Sequence, residues 1–295
     1  MLQPLEKPTL PGAESESLAT YLLLESAVLE EWLMQQPDSP EQPNISAFVR
    51  QVDYATILRW IWNDTEYDKH HADGPLLVQY QPGSPLPALF TEAWAPTGGA
   101  VLITSLRPID EVVAQLRAAL FVLMPDGKKA RFRLQETDAL SSVLQAIEPH
   151  RAAQLLGPVQ EMIWRENHGP EHQWWRYRQS GGPYPVQGGF QFHHAEMTAI
   201  DAGLNEYHLR KQTALTQLAP HSFRDSARQQ TQVWLEQLRH WGFAEFHHLD
   251  LALDAFRHPS YTQRASAVVA LLQDATLTPG ARSSRALNLL MTEGH

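Results

Sequence analysis

Leu120-Phe-Val-Leu-Met-Pro-Asp-Gly-Lys-Lys-Ala-Arg-Phe-Arg-Leu134 decides the fold class of the first half of the chain. Pro125 presets φ at the first turn position and Gly127 supplies a positive φ, so Leu120–Met124 and Ala130–Leu134 are expected to pair as a β-hairpin. Upstream, Leu76–Tyr80 (LLVQY) reads as a strand launched by Gly74-Pro75, and Val101–Thr104 (VLIT) as a buried strand after Gly98-Gly99. Between the second strand and the hairpin, Pro108 opens a helix whose Ile109, Val112, Val113 and Leu116 share one face. Downstream, Thr137 or Asp138 can cap a helix running to Ile147. Strands alternate with helices and a hairpin intervenes, which predicts an α/β N-terminal lobe, a mixed sheet with helices.

Further toward the N-terminus, Tyr21–Glu25 (YLLLE) fits a buried strand or the start of a helix, and Val28–Met34 a short helix ended before Pro37. A Pro/Asp/Ser-rich loop follows at Gln36–Asn44. Ile57, Trp60 and Ile61 sit at helical spacing, so Tyr54–Trp62 is expected to be a helix before the acidic loop Asn63–Asp68. Toward the C-terminus, the Gly/Pro-rich Gln179–Gly189 is the best linker. Beyond it the apolar period becomes helical. The stripe in Ala195–Leu218 contains Met197, Ile200, Leu204 and Tyr207; the next is Trp234, Leu238 and Trp241, stopped by Gly242. Phe246, Leu249, Leu253 and Phe256 run to Pro259, and Ala265, Val268, Val269 and Leu272 precede Pro279. The expected domains are an α/β domain at 18–168, a junction at 169–190 and an all-α helical bundle at 191–295.

Composition narrows the function. At 295 residues, 43% hydrophobic and with nine tryptophans, the chain can bury a substantial core. A net charge of -10, concentrated in the first half, argues against a dominant nucleic-acid or anionic-membrane surface. With no cysteine there is no disulfide, thiolate metal site or Cys nucleophile. The start lacks a basic stretch followed by an apolar run, and no apolar run approaches the ~20 residues a bilayer requires, so a cytoplasmic protein without membrane insertion is expected.

No phosphate-cradling, dinucleotide, nucleophile-elbow or H-E-x-x-H motif occurs. His193-His194-Ala-Glu196 and His247-His248-Leu-Asp250 carry metal-ligand chemistry. Adjacent helical residues point about 100° apart, however, so they do not serve one ion as i, i+4 pairs do. Helix entry explains the first, a solvated helix face the second, and His70-His71 lies in a polar loop; no metal or cofactor is expected. Trp174-Trp175-Arg176-Tyr177-Arg178 mixes aromatics and bases as single-strand nucleic-acid platforms do, or else is a strand or lid at the junction. Trp60, Trp62 and Trp94 are core or line a partner groove. Arg117 and Arg133 either grip a partner carboxylate or carbonyl, or pair internally with an acid such as Glu111 or Glu136. The candidate partner-binding set is therefore Trp60, Trp62, Trp94, Arg117, Arg133, Trp174 and Trp175, and a cleft between the lobes is a natural place for a ligand.

Several segments, in order, resemble the type VI secretion effector chaperones, the Tap or Tec kind of adaptor. They are Gly74-Pro-Leu-Leu-Val78, Ile103-Thr-Ser105, Leu116-Arg117, Phe121-Val122, Asp126-Gly127-Lys128, Phe132-Arg133 and Gly157-Pro-Val159. Trp241-Gly242-Phe243, with Leu249-Asp250 after it, is similar to the turn in those adaptors' helical tail. Where the family usually has an aromatic and an Asp-Pro pair after the Phe-Arg strand, this chain reads Leu134-Gln-Glu-Thr-Asp138. The resemblance implies a non-enzymatic cytoplasmic chaperone of a Gram-negative bacterium. Such a protein binds a cognate type VI effector, often at its N-terminal or PAAR-like region, and helps load it onto the VgrG spike. The rival expectations are a metal-dependent hydrolase using the His/Asp/Glu clusters and a nucleic-acid module using Trp174–Arg178.

Overall fold

A computed structural model describes residues 1–8, 10, 18–37, 43–168, 170–179, 189–219 and 226–292. The chain divides into two compact units, one of Met1–Asn167 with His172–Leu204 and one of His168–Glu171 with Asn205–His295.

The first unit is built on a seven-stranded sheet. Its strands are β1 (Leu2–Leu5), β2 (Ala19–Leu24), β3 (Ile57–Trp60), β4 (Leu76–Gln79), β5 (Ala100–Ser105), β8 (Val159–His168) and β9 (Glu171–Arg178). They lie in the order β1-β9-β8-β5-β2-β4-β3. The pairs β1/β9, β5/β8, β2/β5, β2/β4 and β3/β4 are antiparallel. Alternation along β2 decides the layers, because successive side chains leave a strand on opposite faces. Tyr21 and Leu23 join one core and Leu22 and Leu24 the other. Helices α4 (Ile109–Ala119), α5 (Thr137–Ala146) and α6 (Pro149–Leu156) pack on the first face. Helices α1 (Ser26–Met34), α2 (Ile45–Val52) and α3 (Leu86–Leu89), with the π-turn Phe90–Trp94, cover the second. Covered on both sides, β5 is buried at every residue, which is why Ala100–Ile103 reads as an apolar run with no alternation.

The strands at Leu76–Gln79 and Ala100–Ser105, the helix after Pro108 and the hairpin all form in the expected places, although the hairpin's second strand is Lys129–Arg131 rather than Ala130–Leu134. The hairpin, β6 (Phe121–Leu123) with β7 (Lys129–Arg131), is a separate two-stranded sheet, and Gly127 adopts φ +80° in its turn. YLLLE resolves as a strand, and Val28–Met34 lies within α1.

Two expectations fail. Tyr54–Trp62 is not a helix. Its center is the edge strand β3, in which Leu58 and Trp60 turn inward and Ile57 and Arg59 outward. The apolar i, i+3, i+4 spacing spans barely two turns, and pairing of Ile57–Trp60 with Gln79–Leu76 overrides it. Neither Thr137 nor Asp138 caps α5: the N-cap is Glu136, with no side-chain cap hydrogen bond.

The edge strand β3 is blunted against further pairing. Arg59 donates to the Leu58 carbonyl and Arg117 to that of Trp60.

In the second unit, α7 (His194–Gln217), which begins in the first, continues into α8 (Ala227–His240), α9 (Phe246–Arg257), α10 (Tyr261–Gln273) and α11 (Pro279–Met291). The all-α expectation for the C-terminal region holds. Gly242 ends the α8 stripe at φ +86°, and Pro279, expected only to follow the last stripe, opens α11 at its first turn. The linker expected at Gln179–Gly189 falls largely on 180–188, outside the described residues. Residues 171–178, assigned to the junction, form strand β9.

His168 belongs to this second unit, its ring 5.0 Å from that of Tyr207. Burial, reinforced by the charges of Arg210 and Lys211, pushes its imidazole down to about 4 from 6.5. Between those values the unfolded chain takes up a proton that the folded one refuses. His168 therefore costs no stability above about pH 6.5, and its penalty grows as pH falls to about 4. Urea midpoints measured from pH 7 to pH 4 are expected to fall more steeply in the wild type than in His168→Phe; equal slopes would refute this.

Candidate partner-binding surface

The hairpin's register builds a surface. Phe121 stands opposite Arg131, Val122 opposite Ala130 and Leu123 opposite Lys129. Val122 faces the core, so Phe121, Leu123, Lys129 and Arg131 share the outer face. The segment after β3 completes it. Tyr67 stacks on Phe121 at 5.8 Å between ring centroids, and Trp62 lies 4.9 Å from Tyr67. Lys129 Nζ sits 3.6 Å above the Phe121 ring. The Arg131 guanidinium lies 5.6 Å from the Trp62 ring and 5.7 Å from that of Tyr67. The result is a row of three rings backed by two cations, the composition of a binding hot spot.

Arg117 positions this row. From α4 its Nε donates to the Ile61 carbonyl (3.2 Å), its Nη2 to that of Trp60 (3.3 Å) and its Nη1 to Asp64 (3.1 Å). Asp64 takes φ +58°, a conformation that Asp tolerates better than most side chains. Thr65 Oγ1 donates to the Trp62 carbonyl. Beneath, the Gly74 backbone passes so close that a β-carbon there would fall 2.4 Å from the Trp62 ring. The apolar recess next to Ile61, Leu116, Leu120 and Phe132 is too tight to admit a side chain.

The residues expected from sequence part company here. Trp62 belongs to the row. Trp60 is half-buried at the β3 edge, packed into the second core with His71 edge-on at 6.3 Å. Trp94 is fully buried beside Phe48 and cannot line a groove, because the π-turn directs Phe90 and Trp94 inward together. Trp174 is also core, edge-on to Phe90 at 5.8 Å. Trp175, its neighbor in β9, turns to the opposite face and donates its Nε1 to Glu166 at 2.8 Å. Two tryptophans on opposite faces of a strand make no common stacking platform, and Arg176 and Arg178 both pair with Glu161. Arg133 pairs with Glu136, one of the acids expected for it. Arg117 takes Asp64, while Glu111 pairs with Arg107.

Sequence reading missed Tyr67, Phe121, Lys129 and Arg131 as surface residues. The signal was the hairpin itself: counting outward from the Pro125–Lys128 turn puts Arg131 across from Phe121.

The histidine clusters resolve into structural contacts. Glu196 accepts from Arg151 and from the His193 backbone N–H, closing the start of α7 as a capping box does. Burial pushes the Glu196 carboxyl up, but these hydrogen bonds outweigh it and hold it below the usual range. Asp250 is not simply solvated, since it accepts from Gln212 (2.7 Å) and contacts the buried His208 Nε2 (2.6 Å). Among the described residues no three His, Asp or Glu side chains come together to hold a metal ion, and no helix is long and apolar enough to cross a membrane.

No curated protein and no solved structure matches the chain. Residues 37–154, which contain Trp62, Tyr67, Phe121, Lys129 and Arg131, match the family model described as "Domain of unknown function (DUF4123)".

Proposed function

We propose that this protein is a type VI secretion adaptor: it binds a cognate effector in the cytoplasm and helps load it onto the VgrG spike, with no bond made or broken. The observation that carries the reading is the match of residues 37–154 to a domain known in type VI effector adaptors and chaperones. The geometry is in keeping with it. Within that span, half-buried aromatic rings lie beside the exposed cations Lys129 and Arg131 of the hairpin, a composition suited to contact with another polypeptide.

The test is co-expression of the full chain with a type VI effector and a VgrG from its own source organism, followed by pull-down and size-exclusion chromatography. A stable complex with the effector that passes to VgrG is the expected result. A chain that ignores both partners would overturn the proposal.

A further inference from the structure

We propose that Arg131, held over Trp62 and Tyr67, is where this surface grips a single carboxylate of an acidic segment in the partner. The inference deepens the adaptor reading and rests on it for the partner's identity. The hairpin from Leu120 to Leu134 carries Lys128, Lys129, Arg131 and Arg133 in an otherwise acidic chain. Three of these cations are already matched: Lys128 to Asp126 at 2.7 Å, Lys129 to Glu66 at 2.6 Å and Arg133 to Glu136. Arg117, next to them, is held by Asp64. Arg131 is exposed, and no carboxylate among the described residues lies within ion-pair reach of it.

Two rings restrain the Arg131 guanidinium at 5.6 and 5.7 Å, so the loss of side-chain freedom on binding is partly met before a partner arrives. A guanidinium over aromatic faces keeps N–H groups at its edge, in the planar fork that fits a carboxylate bidentately. Of the hairpin's four cations, Arg131 is the one with no carboxylate partner among the described residues. That suits one Asp, Glu or chain-terminal carboxylate.

A fluorescein-labelled hexaglutamate peptide is the probe, titrated into the full chain and read by fluorescence anisotropy. Arg131→Gln is expected to weaken binding at least about tenfold, as loss of a charge-assisted hydrogen-bond pair does. Lys128→Gln removes the same charge from the same hairpin and is expected to stay within about twofold. Arg131→Lys keeps the charge without the planar fork and falls between. Unchanged binding in Arg131→Gln, or an equal loss in Lys128→Gln, overturns the proposal. The same variants are then tested against the type VI effector used in the co-expression. If the wild type binds that effector and Arg131→Gln binds it equally well, the carboxylate grip is wrong and the adaptor reading stands. If the wild type binds no effector while Arg131→Gln still loses hexaglutamate, the grip stands and the adaptor reading fails.

Discussion

Trp94→Ala is expected to destabilize the first unit by about 3–5 kcal/mol, the cost of emptying a fully buried indole site. Trp94 packs against Phe48 in the core between the sheet and α1–α3, where β5 and β8 are too constrained to collapse into the void. The indole also carries a liability, because its Nε1–H finds no acceptor among the described residues. Trp94→Phe removes that unmatched donor while filling most of the volume, so its cost should be only about 1 kcal/mol. Denaturant titration of the two variants measures both numbers. At a temperature where Trp94→Phe is folded, binding of the hexaglutamate probe should equal that of the wild type. A stable Trp94→Ala that has lost only binding would return Trp94 to the surface and refute the assignment.

Arg282→Ala should cost the helical unit about 3 kcal/mol, because one buried cation closes two helix ends. Its Nη1 donates to the carbonyl of Trp241, the C-cap of α8, at 2.7 Å, and to that of Leu272, in the last turn of α10, at 2.9 Å. Both are carbonyls that a helix leaves unmatched at its negative end, where a cation is favored. The guanidinium also lies 4.6 Å from the Phe243 ring, pinning the Trp241-Gly242-Phe243 turn. Arg282→Met keeps the packing on Phe243 and loses the capping, so it separates the two contributions. Hydrogen exchange should show lost protection in α8, α10 and α11 in both variants, more in Arg282→Ala. Wild-type protection in Arg282→Ala would sink the assignment.

The central strands and most of the helices were legible in sequence because their signals are local and mutually consistent. Leu76–Gln79 and Ala100–Ser105 are apolar runs bounded by Gly and Pro, and Ile109 to Leu116 is a helical stripe. Strand β3 was misread because its apolar residues fit two periods, and only pairing with β4 chooses between them. Strand β8 and helix α6 carry weaker local signals and were not read. Among the site residues, Trp62 was offered by the sequence as core or groove-lining, together with Trp60 and Trp94. Nothing local says that Trp94 and Trp174 are buried in the core while Trp62 is only half-buried.

By itself the sequence determined an α/β first half, an all-helical second half and the Pro125–Lys128 hairpin, because periodicity and turn chemistry act over a few residues. Tertiary structure decided which cations are spoken for. Asp64, Glu66 and Glu136 reach Arg117, Lys129 and Arg133, whereas among the described residues Arg131 has no carboxylate partner and lies over the rings of Trp62 and Tyr67. The first two pairs close across more than fifty residues of chain. Ion pairing depends on distance in space, which the fold sets and the spacing of charges along the chain does not.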